Sequence, residues 1–61
     1  MSDLLDEHPA AARLGLAPGT LTRWRWAGIG PAYHRIGSRK IKYAVTDLDA
    51  FAQAGRVDHD N

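Results

Sequence analysis

The connection between Gly15 and Pro18 constrains the fold of this chain more than any other feature. Glycine adopts the left-handed conformation that often ends a helix, and proline suits the first position of the next helix, where its missing N–H costs nothing. Good helix formers precede Gly15, and the residues from Pro18 onward continue a helix until Gly28. The sequence therefore predicts two short helices, the second over residues 18–27, joined by a tight turn of only three residues.

The second predicted helix has two distinct sides. At about 100° per residue, Leu21 and Trp24 fall on one side, which we assign to the core. The opposite side is expected to face outward and carries Gly19, Thr22, Arg23 and Trp26.

A hairpin is predicted after Gly28. Alternating residues indicate two strands, Tyr33–Ile36 and Ile41–Ala44, and the turn between them contains Gly37, Ser38, Arg39 and Lys40. One face of this ribbon can pack on the helices while the turn projects.

A third helix is predicted to follow the hairpin. Thr46 is expected to cap it, acidic residues occupy its first turn, and Gly55 ends it. Its apolar residues Leu48 and Phe51 would then close the core against the first two helices.

The charges of the chain are segregated. The 61 residues include 8 Lys and Arg and 7 Asp and Glu, a formal net charge of +1, yet residues 8–46 hold seven of the basic residues and none of the acidic ones. A solvated face is the ordinary explanation for a run of charge. This run is long, of one sign and interspersed with residues that have structural roles, which favours a polyanionic partner.

Length and composition argue against several other functions. A chain of this size builds one small core, which argues against an enzyme, and without cysteine it forms neither a disulfide nor a thiolate zinc site. His8, His34 and His59 match no local metal-binding spacing. No apolar run reaches the roughly 20 residues of a membrane span, and the N-terminus lacks the features of a signal peptide. We expect a cytoplasmic protein with no cofactor, no metal and no catalytic residues.

The outward side of the second helix suits the major groove of DNA. Thr22 can bond to a base or phosphate and touch a thymine methyl group, and Arg23 can reach guanine or a phosphate. Gly19 allows the start of the helix to approach closely. A turn bearing Arg39 and Lys40 has the form of a wing that reaches the backbone or an adjacent minor groove.

Plainer explanations compete with each of these interpretations. Arg23 and Arg25 also fit a solvated helix face, and a charged hairpin also serves to discourage strand addition. Trp26 is expected to fold back over the hairpin rather than to contact DNA. Alternatively, Trp26 and the wing could form a protein-interaction module that holds a recombinase or a phage component.

The order of these elements resembles the excisionase-type helix-turn-helix family, which is related to the DNA-binding domains of mercury-resistance-type regulators. The similarity spans about residues 4–54 and rests on the segments AAARLGLAPGTLTRWRWAGIGP, HRIGSRKIKY and TDLDAFA. It implies a winged helix-turn-helix over residues 1–55, mainly α with a small β-hairpin: three short helices and a two-stranded wing. Residues 56–61 would form a flexible acidic tail.

The resemblance also implies which positions contact double-stranded DNA. Thr20, Thr22 and Arg23 fall where the family makes helix contacts, and Arg39 and Lys40 fall at its wing tip. Together with the residues beside them, the candidates are Gly19, Thr20, Thr22, Arg23, Arg25 and Trp26 on the helix, and Arg35, Ser38, Arg39, Lys40 and Lys42 on the wing.

Two positions depart from the family pattern. Ala17 stands where a capping serine is usual, which weakens the start of the second helix by about 0.5 to 2 kcal/mol. Gly19 replaces a residue that is commonly basic and so removes a candidate phosphate contact.

Members of this family act in two main ways. Some are recombination directionality factors that assemble on the attachment DNA of a prophage or mobile element and bias a site-specific recombinase toward excision. Others regulate promoters. A chain of 61 residues has no room for an effector-binding domain or a long dimerisation helix, so we expect the first role, in a bacterial cytoplasm, with self-association along DNA and an integrase as partner.

Arg23 and Arg39 are expected to contribute differently to binding. Arg23→Ala should reduce discrimination between specific and random duplexes, because the helix reads bases, whereas Arg39→Ala should weaken binding to all sequences alike. Titration of both variants against both duplexes measures this, and equal losses on the two duplexes for both variants would contradict the division.

Overall fold

The computed structural model describes residues 3–58, which form three helices and three strands. In chain order these elements are β1 (Leu4–Leu5), α1 (Glu7–Leu14), α2 (Pro18–Ala27), β2 (His34–Ile36), β3 (Lys40–Ala44) and α3 (Val45–Ala54). The fold is a winged helix-turn-helix, as the sequence predicts. Residues 56–58 follow α3 without regular structure, and residues 59–61, which include His59, lie outside the described part of the chain.

The turn between α1 and α2 has the predicted geometry. Gly15 adopts a left-handed φ of 72°, which lets its N–H donate to the carbonyl oxygen of Ala12 at 3.0 Å and the N–H of Leu16 to that of Ala11 at 2.9 Å. Pro18 occupies the start of α2, as predicted. The two bonds end α1, and α2 begins after only three connecting residues.

The sheet contains one strand more than the two-stranded wing that the sequence predicts. β3 is central and pairs antiparallel with β2, placing His34 opposite Lys42 and Arg35 opposite Ile41. On its other side, β3 pairs with β1, where Leu5 lies opposite Tyr43. β1 has only two residues, too few to show an alternating pattern in the sequence.

The start of α3 differs from the prediction. Thr46 is not the N-cap, because β3 runs directly into the helix and Ala44 occupies the capping position. The N–H of Val45, the first helical residue, donates instead to the backbone carbonyl oxygen of Asp3 at 2.9 Å. The backbone before β1 thus binds the first N–H of α3, a contact that the sequence does not predict. The helix ends at Gly55, as predicted.

Small and large apolar side chains share the core. Leu21 is buried as predicted, and the fully buried residues of the described chain are Ala10, Ala11, Leu21, Tyr43 and Leu48. Trp24 and Leu14 pack against this cluster, and the Trp24 and Phe51 rings lie 5.6 Å apart between centroids. The two alanines of α1 let the helix approach the sheet and the other helices closely.

Gly30 should be far less replaceable than Gly19. Gly30 has a φ of 93°, and a Cβ there would lie 2.9 Å from Cε3 of Trp24, so Gly30→Ala should cost about 1 to 3 kcal/mol of unfolding free energy. Gly19→Ala is the matched control, because a Cβ there meets only Nη1 of Arg23 at 3.7 Å, and it should stabilise the helix by about 0.5 to 1 kcal/mol. Urea unfolding of both variants measures the difference, and equal stabilities would contradict this packing.

Candidate nucleic-acid interface

One stripe of α2 is open to solvent. Gly19, Arg23 and Trp26 are exposed and follow one another at spacings of four and three residues, which places them on one side of the helix. Nη2 of Arg23 donates to the hydroxyl of Thr20 at 3.3 Å. The guanidinium group of Arg23 therefore lies over the start of α2, beside the free helix face.

Thr22 does not face outward, which corrects the helical-wheel prediction. Its side chain is partly buried, and its hydroxyl donates to Oε2 of Glu7 at 2.7 Å. The partner lies on α1, fifteen residues away in sequence. A wheel drawn on α2 alone contains no information about that neighbour.

Arg25 joins α2 to three other parts of the molecule. Its Nη1 donates to Oε1 of Glu7 and, at 2.8 Å, to the hydroxyl of Tyr43, and its guanidinium carbon lies 5.9 Å from the centre of the Tyr33 ring. The Arg25 and Glu7 side chains are only 19% and 25% exposed. Most of the positive charge of Arg25 is therefore offset inside the protein, although the sequence suggests it as a DNA contact.

Partial burial and hydrogen bonding shift the pKa values of Glu7 and Arg25 in opposite directions. Desolvation raises the pKa of Glu7, but the hydrogen bonds from Thr22 and Arg25 outweigh it and hold that pKa below its ordinary value. Desolvation likewise opposes the charged form of Arg25, and the hydrogen bonds to Glu7 and Tyr43 still raise its pKa. Both groups are charged at neutral pH.

Lys42 and Arg13 are also engaged within the protein. Nζ of Lys42 lies 2.6 Å from Oδ1 of Asp6, and the lysine side chain is only 26% exposed. Arg13 forms a two-pronged pair with Asp49, at 2.9 and 3.0 Å, which connects α1 to α3. The hydrogen bonds from Lys42 and Arg13 lower the pKa of Asp6 and of Asp49, respectively. Lys42, another candidate DNA contact, is thus committed to an internal ion pair.

Four candidate cations remain available. Within residues 3–58, no carboxylate lies at ion-pair distance from any of them, and all are exposed: Arg23, Arg35, Arg39 and Lys40. Arg23 belongs to α2, and the other three belong to the β2–β3 hairpin and its turn. The unpaired positive charge of the predicted interface is therefore confined to α2 and the wing.

Trp26 is 86% exposed and does not fold back over the hairpin, which corrects that prediction. On the hairpin side, the Tyr33 ring packs on Tyr43, with ring centres 6.1 Å apart. Trp26 forms one wall of an open cleft between α2 and the wing.

Glu7 and Tyr43 are important residues of this region that sequence reasoning missed. In the sequence, Glu7 is one of the acidic residues outside the basic segment, and Tyr43 is one residue of the second predicted strand. The sequence signal for this contact is that Thr22 and Arg25 lie three residues apart on a helix, so one acceptor can bind both.

No metal site or membrane span is found in the described chain. Among residues 3–58, no three histidine or acidic side chains cluster closely enough to hold an ion. None of the helices there is long and apolar enough to cross a bilayer.

Replacing Glu7 should destabilise the fold in a pH-dependent way. Glu7→Gln should lower the unfolding free energy by about 1 to 3 kcal/mol at pH 7, because Arg25 loses its ionic partner. The folded-state pKa of Glu7 is lowered, so its contribution is present above its ordinary pKa of about 4.3 and is lost as the pH falls through the folded-state value. The difference between wild type and variant should therefore shrink toward pH 3.

Asp47→Asn is the matched control for that comparison. Asp47 also lies in the first turn of a helix, but its ion-pair neighbour among the described residues is His34, at 3.8 Å. Urea unfolding at pH 7 and pH 3 should show a smaller loss for Asp47→Asn at pH 7. A Glu7→Gln deficit that is unchanged between the two pH values would contradict the assigned ion pair.

The comparison with protein families agrees with this geometry. A family model described as a helix-turn-helix domain matches residues 10–56, which include the C-terminal part of α1, all of α2, the wing and α3. No curated protein and no solved structure matches the chain significantly. The matched region covers most of the chain, and the chain thus belongs to the helix-turn-helix domain family, whose domains bind DNA.

Proposed function

We propose that this protein binds double-stranded DNA with α2 in the major groove and the β2–β3 hairpin against the flanking backbone or minor groove. The observation that carries the proposal is the distribution of unpaired charge. Arg13, Arg25 and Lys42 are neutralised by carboxylates. Four other basic residues have no such partner in the described chain, namely Arg23, Arg35, Arg39 and Lys40. A surface with this much unpaired positive charge favours the binding of a polyanion.

The start of α2 supports the same orientation. Ala17 occupies the N-cap position and provides no side-chain hydrogen bond, so the backbone N–H of Gly19 is open to an external acceptor. Arg23 lies over this end of the helix, beside Thr20. A phosphate oxygen would receive both the backbone donor and the positive end of the helix dipole.

The specific role that we propose is that of an excisionase, a recombination directionality factor that assembles on attachment-site DNA and biases a recombinase toward excision. A single module of this size buries about 600 to 1,000 Å² of protein surface on DNA, so one copy binds weakly. Occupancy would then depend on neighbouring copies and on contacts with the recombinase. The resemblance of the three sequence segments to excisionases supports this role.

Regulation of a promoter through the same surface is the second candidate. It requires only one operator and no recombinase. Titration against DNA from the genomic neighbourhood of the gene separates the two roles. Cooperative occupation of several adjacent sites supports the excisionase, a single non-cooperative site supports the regulator, and no binding to any duplex contradicts DNA binding altogether.

The number of free cations predicts the salt dependence of binding. With four phosphate contacts, the logarithm of the association constant should fall with the logarithm of salt concentration with a slope of about −3.6, instead of about −6 if all seven basic residues of 8–46 took part. Fluorescence anisotropy between about 50 and 200 mM salt measures this slope.

Arg13→Gln is the control for the salt dependence. Arg13 pairs with Asp49 between α1 and α3, so its loss should leave the slope unchanged. Arg39→Gln should reduce the slope by about one. A slope near −6 that becomes shallower in Arg13→Gln would overturn the division between paired and free cations.

A further inference from the structure

An apolar groove of about 460 Å³ lies between the end of α1, one side of α2 and the last turns of α3. We call it the α3 groove. None of its lining side chains carries a charge, and its four large side chains are only partly buried. The lining includes Leu14, Leu16, Trp24, Phe51, Ala52 and Ala54. Exposed apolar surface of this kind is typical of a site where another molecule docks.

The α3 groove lies away from the proposed DNA interface. Around the axis of α2, Trp24 is about 100° from Arg23 and about 160° from Trp26. None of the candidate DNA contacts lines the groove. DNA bound by α2 and the wing would therefore leave the groove open to a different partner.

The chain leaves α3 beside this groove. Gly55 lines it, and the N–H of Arg56 donates to the carbonyl oxygen of Gln53 at 3.1 Å, which holds Arg56 at the helix end. The Val57 side chain that follows is 72% exposed. Nη2 of Arg56 lies 3.9 Å from Oδ2 of Asp58, and both side chains are mostly exposed. An ion pair this long and this exposed contributes little, so both groups are available to a partner.

The segment of residues 56–58 is complementary to itself. If two copies of the sequence Arg56–Val57–Asp58 run antiparallel, each arginine meets the aspartate of the other copy. The same two-fold arrangement brings the two Val57 side chains and the two α3 grooves together around the axis. A patch that contacts its own copy in this way is the signature of a two-fold interface.

We propose that the α3 groove and residues 55–58 form a two-fold interface between two copies of this chain. The groove and Val57 supply the apolar contact, and the two Arg56–Asp58 pairs determine the orientation of the copies. Such a contact closes at two copies and does not extend into a chain. The inference goes beyond the proposed function, because the dimer forms without DNA and each copy keeps its own α2 and wing free.

Charge exchange tests the orientation of the two copies. The interface is small, so the dimer should be weak, with a dissociation constant of about 0.1 mM that analytical ultracentrifugation at low salt measures. Arg56→Asp and Asp58→Arg should each weaken self-association by about tenfold, because like charges then face each other. An equimolar mixture of the two variants should dimerise again, because the acidic pair of one copy meets the basic pair of the other.

Two lysine substitutions on α3 test the groove itself. Ala52→Lys places a charge in the apolar groove and should abolish dimerisation. Ala50→Lys is the matched control, since Ala50 is an exposed alanine of the same helix that does not line the groove, and it should dimerise as wild type does. Because both sites are exposed and lysine is a good helix former, both variants should fold normally by circular dichroism. The two variants should also bind a duplex with a single site equally well.

Three results would overturn the proposal. The first is a wild type that stays monomeric at about 1 mM, ten times the expected dissociation constant; the groove would then serve another partner, such as a helix of a recombinase. The second is equal dimerisation of Ala52→Lys and Ala50→Lys, which would place the contact elsewhere. The third is a mixture of the charge variants that associates no better than either alone. A wild type that dimerises but binds no duplex would contradict only the proposed function.

Discussion

One side chain, Arg25, links α2 to the rest of the fold. Its guanidinium group connects α2 to α1 through Glu7 and to the central strand through Tyr43. The core beneath it is small, with two alanines among its fully buried residues, so packing alone gives limited control over the angle between helix and sheet. The directional bonds of Arg25 supply that control and hold α2 and the wing as one surface.

The ion pairs of this protein also determine which charges remain for a partner. Arg13, Arg25 and Lys42 come from the basic segment, and each is neutralised by a carboxylate outside it, namely Asp49, Glu7 and Asp6. The acidic ends therefore fold back onto the middle of the chain. The basic segment looks uniform in the sequence. In the structure, some of its basic residues form ion pairs within the protein and the others remain unpaired.

Much of the fold could be predicted because its signals are local. Gly15, Pro18 and Gly28 mark helix ends through backbone preferences, and alternation marks the hairpin. The strand β1 could not be predicted, because two residues are too few to show the alternation of side chains that marks a strand. The helical wheel predicts the exposure of Trp26, but the orientation of Thr22 depends on Glu7, a neighbour distant in sequence that a wheel drawn on one helix does not contain. For the same reason the sequence identified the basic residues but not which of them are paired.

The most direct test of this account is a titration of ¹⁵N-labelled protein with duplex DNA, followed by amide and indole NMR shifts. The account predicts that the largest shifts fall on the first turn of α2, the Trp26 indole and residues 35–40, with small changes around Leu14 and Phe51 on the opposite apolar side. Shifts concentrated at Leu14, Phe51 and the end of α3 would contradict the assigned DNA-binding surface.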